Sequence, residues 1–122
     1  MTTLLLLTSA PASRLAWHAY ELARTLLNQQ QDLLVFFYQD AVQVANQLTW
    51  RPADEPMLAK KWSSLNIDLP ICVTAALARG ITDEDNAKRH HLAHKNLAHG
   101  FRMAGLGELA DAMLKANRII QL

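Results

Sequence analysis

The sequence predicts an α/β fold, a mostly parallel sheet with helices on both faces in a three-layer domain. Three observations carry that reading. Apolar stretches of strand length alternate with stretches of helical periodicity, which is the order a parallel sheet requires. The first apolar run, Thr3 to Leu7, has no polar alternation, as expected of a strand covered on both faces. Hydrophobic residues make up 51% of the 122, enough for a packed core, and no linker, internal repeat or low-complexity run divides the chain. A single domain over residues 1–122 follows, burying roughly two-thirds of its unfolded surface.

Taken in order, Ser9-Ala10-Pro11 breaks the first strand, and Ser13 can cap a helix from Arg14 to Asn28. Leu15, Ala19, Leu22, Ala23, Leu26 and Leu27 share one face of it, with Trp17, His18 and Arg24 off that stripe. A second strand of bulky apolar residues runs from Leu33 to Tyr38, and Asp40 opens a helix through Leu48. After a proline-bounded loop, Leu58, Trp62 and Leu65 lie at helical spacing between Met57 and Leu65. The segment Leu65 to Gly80 divides into a short strand, bounded by Asn66 and broken by Pro70, and an alanine-rich helix closed by Gly80. Thr82-Asp83-Glu84-Asp85 then starts a helix that Thr82 can cap, with acidic residues in the first turn and Lys88, Arg89 and Lys95 following. Gly100 to Ala104 reads as a brief strand or a loop, Leu106 to Ala116 as a helix and Arg118 to Leu122 as a last strand.

Charge and composition exclude several function classes. A net charge of +1 argues against electrostatically driven nucleic-acid binding. One cysteine excludes an internal disulfide framework and a four-cysteine zinc site, and it suits a reducing compartment. The leading Leu4 to Leu7 run has no basic residue before it and is shorter than the ~7 apolar residues of a secretory signal. No stretch reaches the ~18 apolar residues of a membrane span, so a cytoplasmic location is expected.

The chemistry concentrates at Cys72, at the junction of a strand and a helix. Ligands and reacting groups gather at the carboxyl ends of strands in open α/β sheets. The first-turn N–H groups of the following helix favour a thiolate there. Arg79, about two turns on, is expected to lie too far along the helix to contribute. The competing reading is a buried, inert cysteine acting as a small hydrophobe.

Other candidates are weaker. His90, His91 and His94 have helical spacing that can bind a metal, but no carboxylate joins them and Lys88, Arg89 and Lys95 flank them. No metal and no cofactor are expected. Trp17, Trp50 and Trp62 are core or interface residues. Gly105-Leu106-Gly107 lacks the spacing of a dinucleotide loop, and no Gly-x-Ser-x-Gly elbow is present.

The segment around Cys72 resembles the active-site segment of the DsrE/TusD family, whose members carry sulfur as a cysteine persulfide. Phe36-Phe37-Tyr38 with Val44-Ala45-Asn46-Gln47-Leu48, then Gly105-Leu106-Gly107-Glu108-Leu109 and Asn117-Arg118-Ile119-Ile120-Gln121-Leu122, resemble the family in the same order. The likeness covers nearly the whole chain and is greatest to the cysteine-bearing TusD-type subunits. It implies a sheet of about five strands, with Gly100 to Ala104 as one of them. It also implies a sulfurtransferase with Cys72 as persulfide carrier. The implied partners are TusB- and TusC-like subunits in a heterohexamer, or copies of the chain in a homo-oligomer. A TusA-like protein would be the donor and a TusE- or DsrC-like protein the acceptor. The relay would serve thiolation of the tRNA wobble uridine, without direct nucleic-acid or membrane contact by this subunit, or else dissimilatory sulfur oxidation. A third reading is a non-catalytic oligomeric scaffold with a structural cysteine. Two positions depart from the family: Asn117 replaces an Asp, and the loop after the first strand is short and lacks a glycine, which bears on the rim of the site.

Overall fold

The computed structural model describes residues 1–122. Five strands form one sheet in the order β4-β3-β2-β1-β5, with every pairing parallel. They are β1 (Thr2–Leu7), β2 (Asp32–Phe37), β3 (Leu69–Cys72), β4 (Phe101–Ala104) and β5 (Arg118–Gln121). The helices are α1 (Arg14–Asn28), α2 (Leu58–Ser63), α3 (Val73–Ala78), α4 (Glu84–Arg89) and α5 (Leu106–Lys115), with a 3₁₀-helix at Gln39–Ala45.

From β1 to β4 each crossover steps the same way across the sheet, so right-handedness puts those connections on one face. There α1 packs on α2, and α2 and α3 pack on the 3₁₀-helix. The return from β4 to β5 reverses direction and sends α5 to the opposite face, against β1. This is the expected layering. β1 lies inside the sheet with Thr3 to Leu7 all buried, which explains its unbroken apolar run.

Several local expectations hold. Ser13 caps α1, its Oγ accepting from the Leu15 N–H at 3.2 Å. Gly80 closes the cysteine helix with φ +77°, in the left-handed region. Gly100 to Ala104 contains a strand. The stripe of α1 is rotated slightly: Ala19, Tyr20, Ala23 and Leu26 are buried and Leu15 is exposed.

Four expectations are corrected. The stretch from Asp40 to Leu48 is not an α-helix. It is a 3₁₀-helix ending at Ala45, where Asn46 turns its Oδ1 onto the Leu48 N–H and competes for the backbone. Pro70 does not break the short strand expected after Asn66. It lies inside β3, which starts at Leu69. Proline cannot donate to the ladder, and pairing with β2 is confined to Phe37 opposite Ile71.

Thr82 does not cap α4. Asp83 does, accepting from Asn86 N–H at 2.9 Å, while the buried Thr82 hydroxyl donates to the His94 carbonyl. The histidines do not share a helix face either. The helix ends at Arg89, His91 is left-handed at φ +55°, and His94 lies beyond in irregular chain. The structure contains no cluster of three or more His, Cys, Asp or Glu side chains placed to hold a metal. No helix is long and apolar enough to cross a membrane.

The tryptophans divide. Trp62 is a core residue, Trp17 packs partly buried against Tyr20, and Trp50 is 80% exposed. Asn117 meets the requirement of its position: its Oδ1 accepts from the Thr2 N–H at 2.7 Å and its own N–H donates to the Thr2 carbonyl at 2.8 Å. An amide oxygen does what a carboxylate would do there.

Candidate functional site

Cys72 is the last residue of β3 and the residue from which α3 departs, with φ −63° and ψ 119°. The junction is where the sequence places it. The residue is 1% exposed, paired in register with Ala104 of β4, and its side chain makes no hydrogen bond to the first-turn amides of α3. The expected first-turn contact to the sulfur is therefore absent in the free thiol.

Cys72 nevertheless borders an open cleft of about 300 Å³. Tyr38 and Gln39 line it from the end of β2, and Thr74, Ala75, Ala78 and Arg79 line it from α3 and its C-terminus. Leu106 lines it from the first turn of α5. Three strand ends thus converge on one opening, as expected at the carboxyl edge of a parallel sheet. Gln39 holds φ +50°, an uncommon conformation for a residue with a side chain. It turns the chain sharply from β2 into the 3₁₀-helix beside the cysteine.

Arg79 corrects the sequence reading. It lies two turns along the chain yet lines the same cleft, because its long side chain folds back over α3. Its Nε and Nη2 donate to Asp40 Oδ1 at 3.1 and 3.0 Å, and its Nη1 donates to the Ala75 carbonyl at 3.1 Å. The pair ties α3 to the 3₁₀-helix across the cleft wall. Being partly exposed, it adds little to stability. The remaining guanidinium donors are free to meet an anion. The short loop after β1 does not line this cleft. Ser9 and Pro11 instead border a small void over Phe37 and Trp62. The loop's departure from the family pattern therefore lies outside the lining of this cleft.

Two polar groups that sequence reasoning missed hold the walls. Asn96 is buried. Its Oδ1 accepts from Thr82 N–H at 2.9 Å, and its Nδ2 donates to Asn46 Oδ1 and the Gly80 carbonyl, both at 3.0 Å. That network pins the exit of α3 to the end of the 3₁₀-helix. No spacing rule links Asn46, Asn96 and Thr82, so only the fold reveals it.

Arg102 of β4 is held by Asp68 at 2.6 and 2.7 Å and by Glu108 at 3.0 and 2.7 Å, which ties α5 to the strand before the cleft. Hydrogen bonding to Arg102 holds both carboxyls below their ordinary range, and the same bonds raise the guanidinium. Carboxylates with lowered pKa stabilise the fold above their unfolded values, about 3.9 and 4.3, and lose that contribution as pH falls through the lower folded values. The groups are half-exposed, so the loss is within about 1 kcal/mol. Thermal unfolding should show Arg102→Met flattening the decline in stability below about pH 4 relative to wild type. Equal slopes would mean that the cluster is electrostatically idle.

Comparison with known proteins agrees with this architecture. The model of the DsrE/DsrF-like family matches residues 1–122. A sulfurtransferase TusD homolog of Vibrio vulnificus is 43% identical over 124 residues, covering 98% of this chain and 95% of its own. The sulfurtransferase TusD of an Enterobacter species is 42% identical, with 95% and 96% covered. Among solved structures, the ychN protein of E. coli superposes with a TM-score of 0.77 at 22% identity over the whole of both chains, a likeness of fold. A Methanobacterium thermoautotrophicum protein of unknown function, MTH1491, gives 0.63 at 13% identity. The chain belongs to the DsrE/DsrF-like family, as a homologue of its TusD-type sulfurtransferases.

Proposed function

We propose that the protein is a sulfur-relay subunit that carries sulfur as a persulfide on Cys72. The activity class is that of its relatives, which are named sulfurtransferases. The observation that supports Cys72 is its place: the sole cysteine stands at the carboxyl edge of the sheet and borders an open cleft that contains an arginine. The Cys72 thiolate attacks the outer sulfur of a persulfide on a TusA-like donor, breaking its bond to the donor sulfur and releasing the donor thiolate. A TusE- or DsrC-like thiol later takes that sulfur and releases the Cys72 thiolate. The pathway proposed is thiolation of the tRNA wobble uridine, in the cytoplasm, without nucleic-acid contact by this subunit. The test is direct. Incubation with a persulfidated donor protein should add one sulfur, about 32 Da, which a reductant removes.

A second reading treats Cys72 as structural, and its 1% exposure favours it. Alkylation separates the two. A carrier is labelled in the native protein at neutral pH, whereas a sealed core cysteine is labelled only after unfolding.

Assembly into an oligomer belongs to the same proposal. Leu106, Ala110, Met113 and Leu114 form an exposed stripe at helical spacing on α5, with Leu114 85% exposed. Next to it in the chain β5 is one of the sheet's two edge strands, paired only with β1. Such surfaces are covered in partners more often than left to water. Sedimentation should show a homo-oligomer, or a complex with TusB- and TusC-like subunits, and Leu114→Glu should dissociate it. A monomer under both conditions would remove this part of the proposal.

A further inference from the structure

A cysteine persulfide offers an incoming thiol two sulfurs, and only one of them leads to sulfur transfer. Attack on the outer sulfur forms a new bond to it and breaks its bond to Sγ. The electron pair goes to Sγ, and the acceptor leaves as a persulfide. Attack on Sγ instead forms a mixed disulfide with Cys72 and expels the outer sulfur as hydrosulfide. Both steps balance without any added oxidant or reductant, and which one occurs depends on which sulfur can be reached.

We infer that the enclosure of Cys72 restricts attack to the outer sulfur, so that the cleft itself selects transfer over mixed-disulfide formation. The inference rests on the carrier reading and adds the fate of the persulfide to it. Substitution at divalent sulfur is in line, with the nucleophile entering opposite the bond that breaks. Cys72 is 1% exposed, and around it Ala75, Ala76 and Ala104 are buried as well. The outer sulfur of a persulfide must therefore extend into the cleft between Tyr38, Arg79 and Leu106. In-line attack on that atom comes from the cleft. In-line attack on Sγ comes from the opposite side, through the packed boundary of β3, β4 and α3, and interiors packed at crystal density leave no passage for a thiol.

The chain has no other cysteine, so no thiol of its own can discharge the persulfide. Its release depends on an external nucleophile arriving through the cleft.

The test loads the full-length protein from a synthetic cysteine persulfide and confirms the added sulfur by intact mass. One equivalent of glutathione is then added, the mixture is quenched by alkylation, and Cys72 is scored as free thiol or glutathione mixed disulfide. A parallel sample is loaded in the same way and denatured in guanidinium before glutathione is added. The expected result is free Cys72 in the folded protein, with mixed disulfide at least about tenfold lower than in the denatured sample, because access decides which sulfur is attacked. Equal proportions of mixed disulfide in the two samples, including none in either, would overturn the inference. Failure of the folded protein to take up sulfur at all would overturn the carrier reading instead, so the two failures are distinguishable.

Discussion

Cys72→Ser should accept no sulfur from a persulfidated donor, while it still folds, with a melting temperature lowered by about 10 °C or less and its oligomeric state unchanged. The loss should be complete because a hydroxyl is a poor nucleophile without a general base, and the cleft supplies none: Tyr38, Gln39, Thr74 and Arg79 are its polar members. The fold should survive because serine is close to cysteine in volume. The surrounding core is carried by Ile71, Leu69, Phe37 and Phe101 rather than by the sulfur. Burying a hydroxyl where the thiol sat costs about 1–3 kcal/mol unless it finds a partner, which a folded domain tolerates. Mass spectrometry of the donor-treated variant reads the chemistry, and calorimetry reads the fold. Sulfur uptake by the serine variant would place the carrier elsewhere. Unfolding of it would favour a structural cysteine.

The second large effect concerns stability. Trp62 is 1% exposed and packs edge-to-face on Tyr20 at 5.6 Å and on Phe37 at 5.2 Å, and Phe37 continues the array to Phe101 at 5.4 Å. This aromatic row joins α1, α2, β2 and β4 beneath the cleft wall. Trp62→Ala should cost about 3–5 kcal/mol, the range for emptying such a site. Melting should fall by about 10 °C or more. Because Phe37 leads directly into Tyr38 and Gln39, the surviving folded fraction should load sulfur at low temperature and lose that ability as it melts. Differential scanning calorimetry together with uptake at two temperatures checks both halves. A melting temperature within a few degrees of wild type would mean that the core closes over the gap.

What was legible in the sequence was what local chemistry decides. The unbroken apolar run of β1, the Ser13 cap and Gly80 each act through the chain's own backbone or through burial on both faces. The placement of Cys72 was legible for the same reason: a short β-run meets an alanine-rich helix there.

Other features depend on distant partners and were not legible. Arg79 reaches the cleft because Asp40, far off in sequence, accepts its guanidinium. Pro70 enters a strand because the β2 ladder is short at that point. The stretch His90 to His94 leaves the helix because His91 turns left-handed and Thr82 captures the His94 carbonyl. Helical spacing alone could not anticipate that contact. The 3₁₀-helix after β2 is a local competition that Asn46 wins, and helical propensity from Asp40 to Leu48 masked it.

Transfer of sulfur between two proteins by Cys72 can be followed with labelled sulfur through a single turnover. A donor protein persulfidated with isotopically labelled sulfur is mixed with this chain and with an acceptor thiol protein, and all three are sampled by intact mass. Label should leave the donor, appear on the Cys72 peptide, and pass to the acceptor as Cys72 returns to the free thiol. Label reaching the acceptor at the same rate with this chain omitted, or never appearing on the Cys72 peptide, would show that Cys72 is not the carrier.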